Sequence, residues 1–321
     1  MMPMRSIVAG LLTLAVCAPA VLSASDRYAK VHPQKLLAKI QKANSELSFT
    51  GTYVFDHGEG LSTARVIQKA APTGVQLRVE MLDGEPREII RLSDSVKTYL
   101  PKEKVVKVSR DPVARPDFPR VFYGTPDEVL RHYRVKITDG GRVAGQPADL
   151  IELQPVDGYR WGVRCWVDRK NSLVLKHQQI DPSGEPKGEF AFTEIEFHRK
   201  PPVIKSRYEG QTGWKERSNG LKPVELSKLG QLPTLNGFRP LAAMQSADGK
   251  TRQILFGDGL VVVSVFQEYG SGQPAHKPAT SLAGMSIAAK QHSGWLVSAV
   301  GEVPPTTVMA LADKVLPSPL P

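Results

Sequence analysis

Short runs in which apolar and polar residues alternate, cut by tight turns, dominate the chain from Ser48 to Phe197. "GVQLRVEML" sets Val75, Leu77, Val79 and Met81 against Gln76, Arg78 and Glu80. "SFTGTYVF" puts Phe49, Gly51, Tyr53 and Phe55 on one side. A two-residue period is that of a strand with one buried face. "REIIRL", "SVKTYL", "EKVVKVS", "DLIELQP", "YRWGVRCWVD", "LVLKHQQI" and "FAFTEIEF" extend the series, with "LDGEP", "LPKEK" and "DPSGEPKGE" as turns. Such a series predicts a long, curved antiparallel sheet whose inner face needs cover.

Two helix signals can supply that cover. "HPQKLLAKIQKANSEL" carries Leu36, Leu37, Ile40, Ala43 and Leu47 at helical spacing, with Pro33 in the first turn. In "PRVFYGTPDEVLRHYRV", Thr125, Pro126 and Glu128 make a cap, a first-turn proline and a capping box. Val129, Leu130 and Tyr133 form the apolar stripe behind them. The polar, proline- and glycine-rich stretch from about 198 to 225 then reads as a linker. A smaller unit follows: a meander of "FRPLAAMQS", "TRQILF" and "LVVVSVFQEY", a loose loop "GSGQPAHKPATS", a hairpin of "GMSIAAKQ" and "WLVSAVGE", and a proline-started terminal helix in "PPTTVMALADKVL". The fold class expected is α+β, with units at 25–200 and 225–321 joined by 201–224.

The start of the chain reads as an export signal. Arg5 precedes the apolar run Ile7 to Val16 and the small residues of "CAPAVLSAS", so residues 1–24 are expected to be cleaved. The run is too short to span a bilayer, which needs about 20 apolar residues. Cleavage would remove Cys17 and leave Cys165 alone, so the exported fold has no internal disulfide to rely on. Cys165 itself reads as a small buried hydrophobe.

The net charge is +10 over 321 residues. Lys97 to Lys136 holds 10 basic and 5 acidic residues, a net +5. For an exported protein this favours lipid phosphates, polysaccharides or acidic peptides over nucleic acid. Enzyme signatures are missing: there is no G-x-S-x-G, H-E-x-x-H or P-loop. His57, His132, His177 and His198 show no metal-ligand spacing. Glu194 and Glu196 share a strand face that reads as solvated, and Gly257-Asp258-Gly259 reads as a hairpin turn. The sequence thus points to a binding protein, without cofactor or metal.

Several segments in order carry a family resemblance. "SFTGTYVFDHGEGLSTARVIQ", "GEPREIIR", "RHYRVKITDGGRVAGQPADLIELQPVDGYRWGVRCWVDRKNSLVLKHQQID", "LNGFRPLA", "ILFGDGLVVVSVFQEY" and "GMSIAAKQHSGWLVSAVGEVPPTTVMALADKV" resemble the MucB/RseB proteins from about Leu36 to Leu316. The resemblance implies a first domain like the lipoprotein carriers LolA and LolB, a half-open antiparallel β-barrel covered by helices, and a smaller mixed α+β second domain. It implies a periplasmic negative regulator of the sigma-E envelope-stress response. Such a protein binds the periplasmic part of a membrane anti-sigma factor (RseA or MucA) and shields it from site-1 proteolysis. Lipid signals, lipopolysaccharide or mislocalised lipoprotein acyl chains, would release it; homo-oligomers are a further possibility. The alternative is a lipid carrier of the LolA/LolB type.

Candidate residues follow from these expectations. Phe49, Tyr53, Phe55, Leu77 and Val79 are candidates to line a lipid-binding concavity, or else are plain core. Arg120, Arg131 and Arg134, with Phe122 and Tyr123 as apolar contacts, are candidates for a phosphate or acidic-peptide site. The competing reading makes the arginines a solvated helix face and the two aromatics core. In the second unit, Phe238, Arg239 and Tyr269 are candidate partner-binding positions. Phe266 and Trp295 have the same chemistry but suit core packing.

Overall fold

The fold was analysed in a computed structural model, which describes residues 28, 31–56, 60–93, 95–110, 122–270 and 277–318. The expected export signal at 1–24, together with Arg120 and His57, lies outside the described residues.

Among the described residues the first sheet has twelve strands. β1 (Phe49–Asp56), β2 (Leu61–Lys69), β3 (Gln76–Met81), β4 (Glu88–Leu92), β5 (Ser95–Leu100) and β6 (Val105–Arg110) form one antiparallel meander. β7 (Tyr133–Val143), β8 (Gln146–Pro155), β9 (Gly162–Asp168), β10 (Val174–Ile180) and β11 (Pro186–Phe197) form a second. The two join through β1 and β11, and the sheet stays open, with β7 at one edge. Alternation produces the expected burial: Phe49, Val66, Leu77 and Val79 are inside, with polar neighbours between them. Gly51 is glycine because the Phe192 ring lies where its Cβ would be.

Helix α1 (Pro33–Glu46) covers the inner face. Leu37 and Ile40 are fully buried in one core with Phe49, Val66 and Val79. Burying each such side chain is worth about 1.5–3 kcal/mol. Gln68, also buried, fixes the helix end by donating from Nε2 to the carbonyls of Asn44 (2.9 Å) and Leu47 (3.1 Å). Helix α2 (Pro126–His132) has the expected capping box at Thr125 and Glu128. It stops one residue before Tyr133, which was expected on the helix stripe and instead opens β7. Tyr133 is buried all the same.

Residues 201–224, expected as a linker, touch both sheets. Ile204, Tyr208 and Trp214 pack on Ile90, Tyr99 and Val106 across the outer face of the first sheet. The buried Glu88 carboxylate accepts from Arg78 Nε, Ser206 Oγ and the Arg207 N–H. β12 (Lys215–Ser218) then pairs in parallel with β6, and β13 (Lys222–Val224) joins the second sheet.

The second sheet has seven strands in the order β13, β14 (Arg239–Gln245), β15 (Thr251–Gly257), β16 (Val262–Tyr269), β19 (Trp295–Gly301), β18 (Met285–His292), β17 (Lys277–Leu282). Helix α3 (Pro305–Lys314) covers one face. Val308 and Leu311 pack there on Ile254, Val265, Val297 and Ala299. The observed fold class is the one expected: an open sheet, antiparallel but for its edge strand β12, covered by helices, plus a smaller α+β domain. β17 falls where the sequence suggested only a loop.

Candidate binding site at the domain junction

The two sheets meet through a polar core built around Arg160, in the loop between β8 and β9. Its Nε donates to Asp258 Oδ2 at 2.6 Å, and both side chains are fully buried. Nη1 donates to Asp157 (2.6 Å), Nη2 to the Asn236 carbonyl (2.5 Å), and the guanidinium lies 4.7 Å from the Phe238 ring centre. Asp258 also accepts the N–H groups of Leu260 and Val261 at 2.9 and 2.8 Å. The "GDG" turn read from sequence is therefore a turn, and its carboxylate is an inter-domain anchor.

The entry to α2 is welded to the same turn. The N–H groups of Tyr123 and Gly124 both donate to the Gly259 carbonyl, at 3.0 and 2.8 Å. The Tyr123 hydroxyl accepts from the Gly259 N–H (2.7 Å) and donates to the Val261 carbonyl (3.2 Å). Burial drives the Tyr123 phenol well above its ordinary value. Arg239 donates to Glu128 at 2.7 Å, and this bond, with the Thr125 N–H, lowers the Glu128 carboxyl. On the far side, Trp161 Nε1 donates to the Gly284 carbonyl (3.0 Å), Gln179 Nε2 to Glu302 (2.8 Å), and Thr307 Oγ1 to the Tyr159 carbonyl (2.7 Å).

A cavity of about 250 Å³ opens where the inner face of the first sheet reaches the second domain. Tyr53, Phe55, His177 and Phe190 form its aromatic walls, and Ala283 and Glu302 of the second domain close it. The His177 ring stacks on Phe190 with a 6° interplanar angle. Asp56, Gln179, Glu189 and Glu302 make about half of the lining polar, so the aromatic side suits an acyl chain or an apolar peptide side chain and the opposite side a hydrogen-bonding group.

The candidate residues distribute as follows. Phe49, Tyr53, Leu77, Val79 and Phe122 belong to one buried core. Phe55 is half-buried against it, and both Tyr53 and Phe55 reach the cavity wall. Burial pushes the Tyr53 phenol up to about 12. Arg131 on α2 and Arg134 on β7 are exposed. Tyr123, Phe238 and Arg239, assigned from sequence to two different surfaces, all come together at the junction. Phe238 is fully buried there. Tyr269 is exposed, edge-on to the buried Trp295 at 5.3 Å. Cys165 is buried, and desolvation pushes its thiol up to about 12. No cluster of His, Cys, Asp or Glu among the described residues has metal-site geometry. Sequence reading missed Arg160, Asp157 and Asp258. The signal available was a charged residue inside a turn next to an apolar strand, and that identifies no partner.

Comparison with known proteins agrees with this architecture. The MucB/RseB N-terminal domain model matches residues 32–211 and the MucB/RseB C-terminal domain model matches residues 228–316. The Sigma factor AlgU regulatory protein MucB of Pseudomonas aeruginosa is 24% identical over 294 residues, covering 88% of this chain and 90% of its own. The Sigma-E factor regulatory protein RseB of Escherichia coli K12 is 21% identical over 293 residues, covering 87% and 89%. The crystal structure of MucB in complex with MucA(peri) superposes with a TM-score of 0.64 at 22% identity, covering 89% of this chain and 99% of that one. A crystal structure of MucB gives the same TM-score at 23% identity, with 89% and 98% covered. The order of the two domains, the open twelve-stranded sheet and the matched models together make the chain a member of the MucB/RseB family.

Proposed function

We propose that this protein is a periplasmic negative regulator of an envelope-stress sigma factor. It binds the periplasmic part of a membrane anti-sigma factor of the MucA or RseA kind and shields it from the first proteolytic cut. A lipid signal, lipopolysaccharide or lipoprotein acyl chains, releases it. Relatives named as sigma-factor regulators support the first part, as does the relative solved with MucA.

The observation that carries the release step is the junction cavity. Its walls come from both domains, so an occupant has a different affinity for docked and undocked arrangements. A second ligand that prefers one arrangement is then thermodynamically coupled to the first, reciprocally. Tyr53 and Phe55 supply apolar contact on one side, and the Ala283 turn and Glu302 register the occupant on the other. Nothing in this role requires a catalytic group.

The deciding experiment is a calorimetric titration of residues 25–321 with the anti-sigma periplasmic domain, with and without lipopolysaccharide. Binding that lipid displaces is the expected result. Lipid uptake without anti-sigma binding would instead make the protein a carrier of the LolA/LolB type.

A further inference from the structure

The junction cavity has two chemically different sides. Tyr53, Phe55 and Phe190 form the aromatic one. Asp56 at the end of β1 and Glu302 just after β19 lie on the other, and no lysine or arginine is among the described residues that line it. In a chain of net charge +10, this is a concave site whose fixed charge is negative. Glu189 also borders the cavity, but its carboxylate is already held by Lys176 Nζ at 3.0 Å. Asp56 and Glu302 therefore decide which head group enters.

A third group points the same way. Gln179 lines the cavity and is only 6% exposed. Its Nε2 donates to Glu302 at 2.8 Å, which leaves Oε1 a buried acceptor without a hydrogen-bond partner. That oxygen stands 3.5 Å from where a Gly188 Cβ would be, and Gly188 is part of the cavity wall. A buried acceptor left unpaired is costly, and a donor entering the cavity relieves it. Glu302 can take further donors too, since a carboxylate has about four acceptor sites. An anionic head would meet two carboxylates here. An ammonium brings three donors, and aromatic faces attract a cation within about 6 Å of the ring centre. The volume of about 250 Å³ lies below the roughly 300–1,000 Å³ of drug-sized sites, so it suits one unbranched stem with a small head.

We propose that the cavity is a subsite for an aliphatic ammonium, the head of a lysine side chain on a bound peptide. The stem lies against Tyr53, Phe55 and Phe190, and the nitrogen binds Glu302 and Gln179 Oε1. The inference deepens the reading of the junction given above and rests on it. Glu302 belongs to the second domain and the aromatic wall to the first. A seated lysine thus couples peptide binding to the docked arrangement, and an acyl chain entering along the aromatic side displaces it.

The test titrates the full mature chain with the capped tripeptide Gly-Lys-Gly, with its norleucine counterpart, which keeps the stem and lacks the ammonium, and with cadaverine. Binding is followed by calorimetry and by the Tyr53 ring resonances. The lysine peptide should bind about tenfold more tightly than the norleucine one, by a margin that shrinks with salt. Glu302→Gln should remove about that tenfold. Asp56→Asn, at an exposed strand end, should lower the affinity as well, and it covers the case in which Glu302→Gln loosens the junction. Glu196→Gln, at a 78% exposed carboxylate elsewhere on the first sheet, should leave it unchanged. Equal binding of the two peptides overturns the ammonium but leaves a cavity that an acyl chain fits, so the release reading survives. Binding of cadaverine without the lysine peptide overturns the peptide source in favour of a free diamine. Equal losses in Glu196→Gln and Glu302→Gln reduce the effect to overall charge and overturn the site. If no probe binds and no Tyr53 resonance moves, the cavity takes no occupant, and the ammonium and the release reading fall together.

Discussion

Arg160 donates to Asp258 at 2.6 Å across the domain junction, with neither side chain exposed to solvent. Two ions taken out of water cost several kcal/mol each, and the pair persists because Asp157, the Asn236 carbonyl and the Phe238 face complete the shell. The pair therefore specifies how the domains dock rather than adding stability for its own sake. Asp258→Ala would leave a buried cation with one carboxylate fewer, and should destabilise docking by about 3–5 kcal/mol. Arg160→Met/Asp258→Leu removes both ions and should cost clearly less. Urea unfolding followed at Trp161 checks this. A double variant as damaged as the single one would refute the charge argument.

Gly124 and Gly259 bring the two backbones into direct contact. A Cβ on Gly124 would overlap the Gly259 Cα. Gly124→Ala should separate the turn from α2 and lengthen both N–H bonds to the Gly259 carbonyl, costing about 1–3 kcal/mol. Small-angle scattering should show a larger radius of gyration. Gly74→Ala, where a Cβ meets nothing within 4 Å, tests whether the effect needs the contact, since its positive φ strains the backbone alone.

These relationships mark where sequence reasoning stops. β1, β3 and β8 were legible because alternation follows from one buried face, and α2 because its cap is local in sequence. β12, "KERS", has four exposed residues and no alternation. It is a strand because β6 offers an unpaired backbone edge. Tyr133 fits both a helix stripe and a strand, and the tertiary environment decides between them. Arg160 and Asp258 lie 98 positions apart. Each is individually an ordinary charged turn residue, so a single sequence holds no record of their pairing. The aromatic residues proposed as surface contacts were recognised by chemistry, which cannot separate an interface from a core; Phe238 serves the interior.

His132 supplies a pH dependence at the same junction. Its ring stands against Gly237, beside the Arg160 guanidinium. Burial first, then Arg160 and more weakly Arg131, lower its pKa below the ordinary 6.5, against the opposing pull of Asp258 and Asp157. The docked state thus favours neutral His132. Docking is at full strength above the free-state value near 6.5 and weakens as pH falls from there through the lowered docked value. Denaturation midpoints at neutral and mildly acid pH should show this loss, and His132→Gln should reduce it. An unchanged pH slope in the variant would assign the effect to other groups.

Glu88 makes the connector part of the first domain. Its carboxylate is buried and accepts from Ser206 Oγ, the Arg207 N–H and Arg78 Nε, so three donors depend on it. Glu88→Ala leaves Arg78 only its longer contact to Glu80 at 3.4 Å and frees the Ser206–Arg207 backbone, at a cost of about 1–3 kcal/mol. Glu88→Gln keeps the shape but loses the charge, and should cost less. The Tyr99, Tyr208 and Trp214 rings pack over the same segment, so its release should redden Trp214 emission. Limited proteolysis gives the second readout: Lys205 and Arg207 should become trypsin-sensitive in Glu88→Ala well before the sheet unfolds. If cleavage there stays as slow as in the parent, the connector is held by the aromatic cluster and by β12 pairing with β6, and Glu88 serves only to neutralise Arg78.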